Sequence, residues 1–75
     1  MEICHIEGEY IQLNQLLKKL DWAGSGGEAR VYIEQGLVTV NGQTASEIRK
    51  KLRDGDVVEM KGRKAVTVRQ AAVEQ

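Results

Sequence analysis

Seventy-five residues, 41% apolar and 29% charged, with three aromatics and no proline, make one small domain near the lower limit for a core that stands alone. No run approaches the roughly 18 apolar residues of a membrane span. The N-terminus lacks the basic-then-apolar pattern of a secretory signal, and a single cysteine rules out an internal disulfide framework, so a cytoplasmic location is expected.

The net charge of zero hides an asymmetry. Residues 1–47 hold three basic and seven acidic side chains, a balance of −4, whereas residues 48–75 hold eight basic and four acidic, a balance of +4. A neutral chain with its positive charge gathered in one half can still present a basic surface.

In chain order, Met1 to Ile6 reads as a short edge strand, broken by Gly8. Within it Cys4 and His5 are neighbours, which a strand sends to opposite faces. Tyr10 to Leu20 reads as a helix, because Leu13, Leu16, Leu17 and Leu20 form one apolar stripe at helical spacing. Ala23 to Gly27 is a glycine-rich link. A second helix follows, opened by a capping box of Ser25 and Glu28. Ala29 and Ile33 mark its inner face, with Tyr32 beside them, and Gly36 suits its left-handed stop. Leu37 to Val40 has strand composition, and Asn41-Gly42 is a strong hairpin turn signal. Ala45 to Arg53 reads as a loop or short strand anchored by Ile48 and Leu52, and Asp54-Gly55 as a turn. Asp56 to Met60 and Arg63 to Arg69 read as two strands joined at Lys61-Gly62, the second half-exposed with Val66 and Val68 on one face. Gln70 to Gln75 is expected to fray.

Catalytic chemistry finds little footing. His5 and Cys4 diverge on a strand and so form neither a metal site nor a nucleophile–base pair. Asp54 and Asp56 flank a turn glycine, and turn formation accounts for them. Binding chemistry is better represented. Ser25, Gly26 and Gly27 open a helix, where free N–H groups attract phosphate and glycine admits close approach. Ordinary capping competes for the same groups. Arg49, Lys50, Lys51 and Arg53 put four cations in five residues, which suits contacts along a phosphate backbone, although a solvated loop explains them locally. Arg30 lies beside the apolar face of the second helix. Lys61, Arg63 and Lys64 form a second cluster, and the sequence leaves open whether it joins the first. Trp22 and Tyr32 can stack on bases, but so few aromatics are more often needed in a core.

The residues Ser25, Ala29, Ile33, Gly36, Val38, Val40, Asn41 and Gly42, followed by Leu52, Gly55, Asp56 and Val58, resemble the signature of the RNA-binding domain named after small-subunit ribosomal protein four. Leu13, Leu16 and Leu17 resemble its first helix, so the likeness spans residues 11–60. Gly26 stands where that family usually has arginine, Tyr32 where it has leucine, and Asn14-Gln15 where an acidic-basic pair is common. The Gly-Gly form with an initial strand looks like the small stand-alone bacterial members.

The resemblance implies an RNA surface built from the two helices and the following turn region. The implied contacts are Arg30, Arg49, Lys50, Lys51 and Arg53, with Lys18 and Lys19 beside them, and Arg30 standing in for the missing arginine. The expected architecture is one α+β domain over residues 1–75, with two N-terminal helices on a small, largely antiparallel sheet and an added N-terminal edge strand. The expected function is docking of a basic surface on the phosphates of structured RNA, of the ribosomal or transfer RNA class, by shape rather than base identity. A module binding an acidic protein is the alternative. A monomer is expected, with no enzymatic activity, cofactor, metal, membrane or small-molecule substrate.

Overall fold

The computed structural model describes residues 2–71. Strand β1 (Glu2–Ile6) leads to a short strand β2 (Ile11–Gln12), helix α1 (Leu13–Lys19) and helix α2 (Gly26–Glu34). Then come strands β3 (Val38–Val40), β4 (Gln43–Thr44), β5 (Lys51–Leu52), β6 (Val57–Met60) and β7 (Val66–Gln70). The main sheet runs β1-β7-β6-β3-β4, and β2 pairs with β5 in a separate two-stranded ladder. Every pairing is antiparallel except β1 with β7. The expected α+β architecture with a largely antiparallel sheet and an N-terminal edge strand is therefore the one observed.

The helices bury the residues that their periodicity selects. Leu13, Leu16 and Leu17 of α1 are fully buried, as are Ala29 and Ile33 of α2, against Val38, Val58, Val66 and Val68 of the sheet. Trp22 and Ala23, in the link between the helices, are buried too. On β1, Cys4 is buried and His5 exposed, the divergence that a pleated strand imposes.

Three expectations need correction. The first helix begins at Leu13 rather than Tyr10. Residues 11 and 12 are extended because Ile11 pairs with Leu52 and Gln12 with Lys51. The next two N–H groups continue toward the same segment, Leu13 donating to the Lys50 carbonyl (2.8 Å) and Asn14 to the Ile48 carbonyl (3.1 Å). A distant stretch thus takes donors that a helix start leaves unpaired. At the other end of the chain, the second strand of the β6–β7 hairpin starts at Val66 rather than Arg63. The turn at Lys61-Gly62 does close, with Arg63 N–H on the Met60 carbonyl (2.9 Å), but the first β6–β7 pair is Val58 with Val66. Finally, β7 is not half-exposed over its first residues: Val66, Thr67 and Val68 are all buried. It lies between β1 and β6, so Thr67, on the face that alternation assigns to solvent, is flanked by its cross-strand partners Ile3 and Val57. The ambiguous stretch resolves into a loop over 45–50 followed by β5. Of the tail, Gln70 belongs to β7 and Ala71 N–H donates to the Ile6 carbonyl (2.7 Å); the remainder lies outside the described residues.

The turn at Asn41-Gly42 forms as its sequence dictates, both residues left-handed at φ 52° and 82°, joining β3 to β4. Asn41 also works at long range. Its amide donates to Asp56 Oδ1 (3.0 Å) while its Oδ1 accepts the Val57 N–H (2.9 Å). Asp56 Oδ2 in turn accepts the Arg53 N–H (2.8 Å). This pair ties the β3–β4 turn to the turn before β6. Asn41→Ala should cost about 1–3 kcal/mol, because it strains a left-handed residue and strands both partners. Urea denaturation measures the loss, and an unchanged midpoint would show that the link contributes nothing.

Candidate nucleic-acid interface

Helix α2 begins with an extended Ser25 whose Oγ accepts the Glu28 N–H at 3.2 Å. Only this half of the expected capping box forms. The Glu28 carboxylate turns one helical turn onward and accepts the Tyr32 hydroxyl at 2.7 Å. That hydrogen bond, with desolvation and the negative charge of Glu28 adding to it, raises the Tyr32 phenol above its ordinary value, while Arg63 acts in the opposite direction. Ser25→Ala should cost about 1 kcal/mol through the lost cap, with RNA affinity changing less than stability if phosphate displaces the serine. A denaturant titration showing no loss would remove the cap from the account.

The glycines after Ser25 leave space. A side chain built at Gly26 would meet nothing within 4 Å. Gly26 and Gly27 line an open hollow of about 520 Å³ with Asn14, Arg30, Ile48 and Arg49. The hollow therefore joins the start of α2, the start of α1 and the loop before β5. It exists because the segment 48–52 lies antiparallel to residues 11–14. Two cations from residues 19 apart in sequence, Arg30 and Arg49, are brought to one site.

The charges there are largely uncompensated. Among the described residues the ion pairs are Arg30–Glu34 (3.2 Å) and Arg69–Asp54 (3.5 Å), both exposed. The first is a helical i,i+4 pair on the surface, worth only a few tenths of a kcal/mol, so it releases Arg30 readily. Arg49, Lys50, Lys51 and Arg53 have no carboxylate partner among the described residues. Arg69 is engaged by Asp54, whose other oxygen accepts the Gln70 N–H (2.8 Å).

The remaining candidates are distributed unevenly. Lys51 and Arg53 stand over the Tyr10 ring, with Lys51 Nζ 4.8 Å and Arg53 Cζ 5.9 Å from its centroid. Lys50 is half-buried and faces a smaller hollow with Gln43, Ser46 and Glu47. Lys19 donates to the His5 carbonyl (2.9 Å), which draws it toward β1. Lys18 is exposed on the last turn of α1. Lys61 and Arg63 line a separate hollow with Gly36, Leu37 and Glu59, and Lys64 is exposed beside them.

Two residues near the basic strip are not among the contacts expected from the sequence. Tyr10 reads as a helix start and proves to be the exposed aromatic under two cations. Asn14, noted in the sequence only for departing with Gln15 from the family's usual acidic-basic pair, has a buried Oδ1 with no hydrogen-bond partner among the described residues. Of the aromatics singled out by sequence, Trp22 is buried, and Tyr32 is half-buried with its hydroxyl tied to Glu28. Among the described residues no group of three or more His, Cys, Asp or Glu is placed to hold a metal ion. No helix there is long and apolar enough to cross a membrane.

Comparisons with known proteins accord with this architecture. A family model described as the S4 domain matches residues 4–69. A Bacillus subtilis protein described as a probable ribosome maturation protein, RlbA, is 40% identical over 57 residues, covering 76% of this chain and 80% of that one. The solution structure of YbcJ from E. coli, said to reveal an alfaL motif involved in RNA-binding, superposes with a TM-score of 0.69 at 30% identity. That superposition covers 92% of this chain and 87% of YbcJ. With the matched residues spanning nearly the whole described chain and the fold shared, this protein belongs to the S4 domain family.

Proposed function

We propose that this chain binds structured RNA, docking its basic surface on the phosphate backbone and reading shape rather than base sequence. The observation that carries this reading is the convergence of Arg30 and Arg49 on one hollow at the glycine-opened start of α2, continuous in sequence with Lys50, Lys51 and Arg53, which have no carboxylate partner among the described residues. A-form RNA hides its base edges in a narrow major groove and offers phosphates and 2′-hydroxyls, which a short rigid basic surface can follow. Arg30, Arg49, Lys51 and Arg53 are the primary contacts. Ser25, Gly26 and Gly27 supply helix-start N–H groups, Lys50 and Lys18 contribute at the margin, and Lys19 takes part once released from His5. The RNA-binding motif of YbcJ and the ribosome-maturation description of RlbA support an RNA partner, and the latter favours ribosomal over transfer RNA. The protein acts as a cytoplasmic monomer, one RNA-binding unit without catalytic activity, cofactor or small-molecule substrate.

The test is binding of labelled ribosomal RNA fragments in competition with unlabelled folded RNA, transfer RNA and an acidic polypeptide of equal charge. Folded RNA should displace the label far better than the polypeptide. Equal displacement by the polypeptide would favour a module for acidic protein partners instead.

A further inference from the structure

The pairing of β2 with β5 has a consequence on its outer face. Ile11 faces Leu52 across the ladder, and Leu52 is fully buried. Gln12 pairs with Lys51, and the same register continued one residue beyond Ile11 puts Tyr10 opposite Arg53. Side chains alternate along a strand, so Tyr10, Gln12, Lys51 and Arg53 share the side away from the core. Tyr10 is 41% exposed there. The Lys51 and Arg53 cations lie within cation–π distance of its ring.

We propose that Tyr10 is a stacking platform for an unpaired RNA nucleotide, with Lys51 and Arg53 pairing the phosphates that flank it. The proposal rests on the RNA-binding reading and adds to it a single-stranded feature that shape recognition of a helix does not need. Three observations carry it. The exposed ring lies at the far end of the same basic strip that starts at Arg49, so RNA docked on the strip reaches it. Its neighbours are cations without carboxylate partners among the described residues, matching a base with a negatively charged phosphate on either side. A hollow of about 390 Å³ opens beside the ring among the described residues, with the buried Ile6 and half-buried Ile11 in its wall. A base is flat and apolar on its faces and charged only through its backbone, and the exposed Lys51 and Arg53 side chains that lie over the ring can swing to the flanking phosphates as the base takes the face. The backbone beneath is held firmly, since the Arg53 N–H is fixed by Asp56 and the Leu13 N–H by Lys50.

The experiment compares an RNA hairpin that is fully paired with the same hairpin carrying unpaired adenosines, as a tail or a bulge, with 2-aminopurine in the unpaired run. The proteins are the wild type, Tyr10→Ala, Tyr10→Leu and Tyr10→Phe, with thermal melting as the folding control. The wild type should prefer the hairpin with unpaired bases by about 5- to 150-fold, the span of one base stacked on an aromatic. Binding should change the 2-aminopurine fluorescence. Tyr10→Phe should keep both effects, and Tyr10→Ala and Tyr10→Leu should lose them without altering the salt slope. The leucine variant keeps apolar bulk, so the comparison stands if the alanine variant is poorly folded. Equal loss on both hairpins would overturn the proposal, because Tyr10 would then serve only to hold Lys51 and Arg53. Wild-type affinity for the paired hairpin with no preference for unpaired bases would overturn it too, leaving the RNA-binding reading intact. Failure of the wild type to bind either hairpin would remove both.

Discussion

Leu16→Ala is expected to destabilise the protein by about 2–5 kcal/mol, the range for truncating a fully buried leucine. Leu16 has no exposed surface and lies between Leu13 and Leu17 on a helix of only seven residues. Such a helix has no stability of its own, since isolated helices shorter than about 12–15 residues are marginal in water. It persists because its apolar stripe is buried against α2 and the sheet. A chain of this length has about 4–11 kcal/mol in total, so the loss is a large fraction of what holds the fold. Part of it is transfer free energy of the deleted methyl groups, and part is the cavity that the surrounding elements cannot close. Trp22 is buried in the link that follows α1 and reports unfolding by fluorescence. Urea titration followed at Trp22 should show a much lower midpoint, or no folded baseline at all. An unchanged midpoint would mean that α1 does not supply the core.

Arg49→Ala combined with Lys51→Ala should weaken RNA binding and flatten its salt dependence. Each phosphate contact releases condensed counterions, with a slope of about −0.9 per contact on duplex DNA and about −0.7 on single strands. Losing two contacts should therefore reduce the slope by roughly one to two units. Affinity should fall alike for different sequences of the same RNA fold, because phosphates carry no base identity. Both side chains are exposed, so folding should be little affected. Among the described residues the structural cost is the Lys51 contact with Tyr10, worth about 0.5–1 kcal/mol at an exposed site. Binding across a salt series, with melting as the control, checks this. An unchanged slope in a folded variant would take these residues out of the interface. A loss confined to one RNA sequence would mean that they read bases, and shape recognition would have to be abandoned.

What the sequence determined by itself was whatever depends on near neighbours. The stripe of Leu13, Leu16 and Leu17 fixes which side of α1 is buried, since a helix brings residues three and four apart together wherever it sits. Ser25 caps α2 through a bond three residues long, Gly36 takes the left-handed stop at φ 74°, and Asn41-Gly42 turns the chain through its own backbone preferences. The candidate cations of Arg49 to Arg53 were visible as a dense run, and their company was not.

Tertiary structure alone decided the partners. Backbone donors at Leu13 and Asn14 found acceptors some 35 residues away, and that pairing, not the helical preference of Tyr10 to Gln12, set where α1 begins. Parallel pairing of β1 with β7, across more than 50 intervening residues, set Ile3 beside Thr67 on the face that alternation would have left to solvent. Glu28 had two possible acceptor roles within one turn of helix and took Tyr32 over Ser25. The crossing of 48–52 over 11–14 brought Arg49 beside Arg30 at one end and set Lys51 and Arg53 over Tyr10 at the other. Hydrogen-bond pairing between distant strands depends on register and on which edges are left free after collapse. Neither is encoded in any local window, so the interface emerges only when the ladder closes.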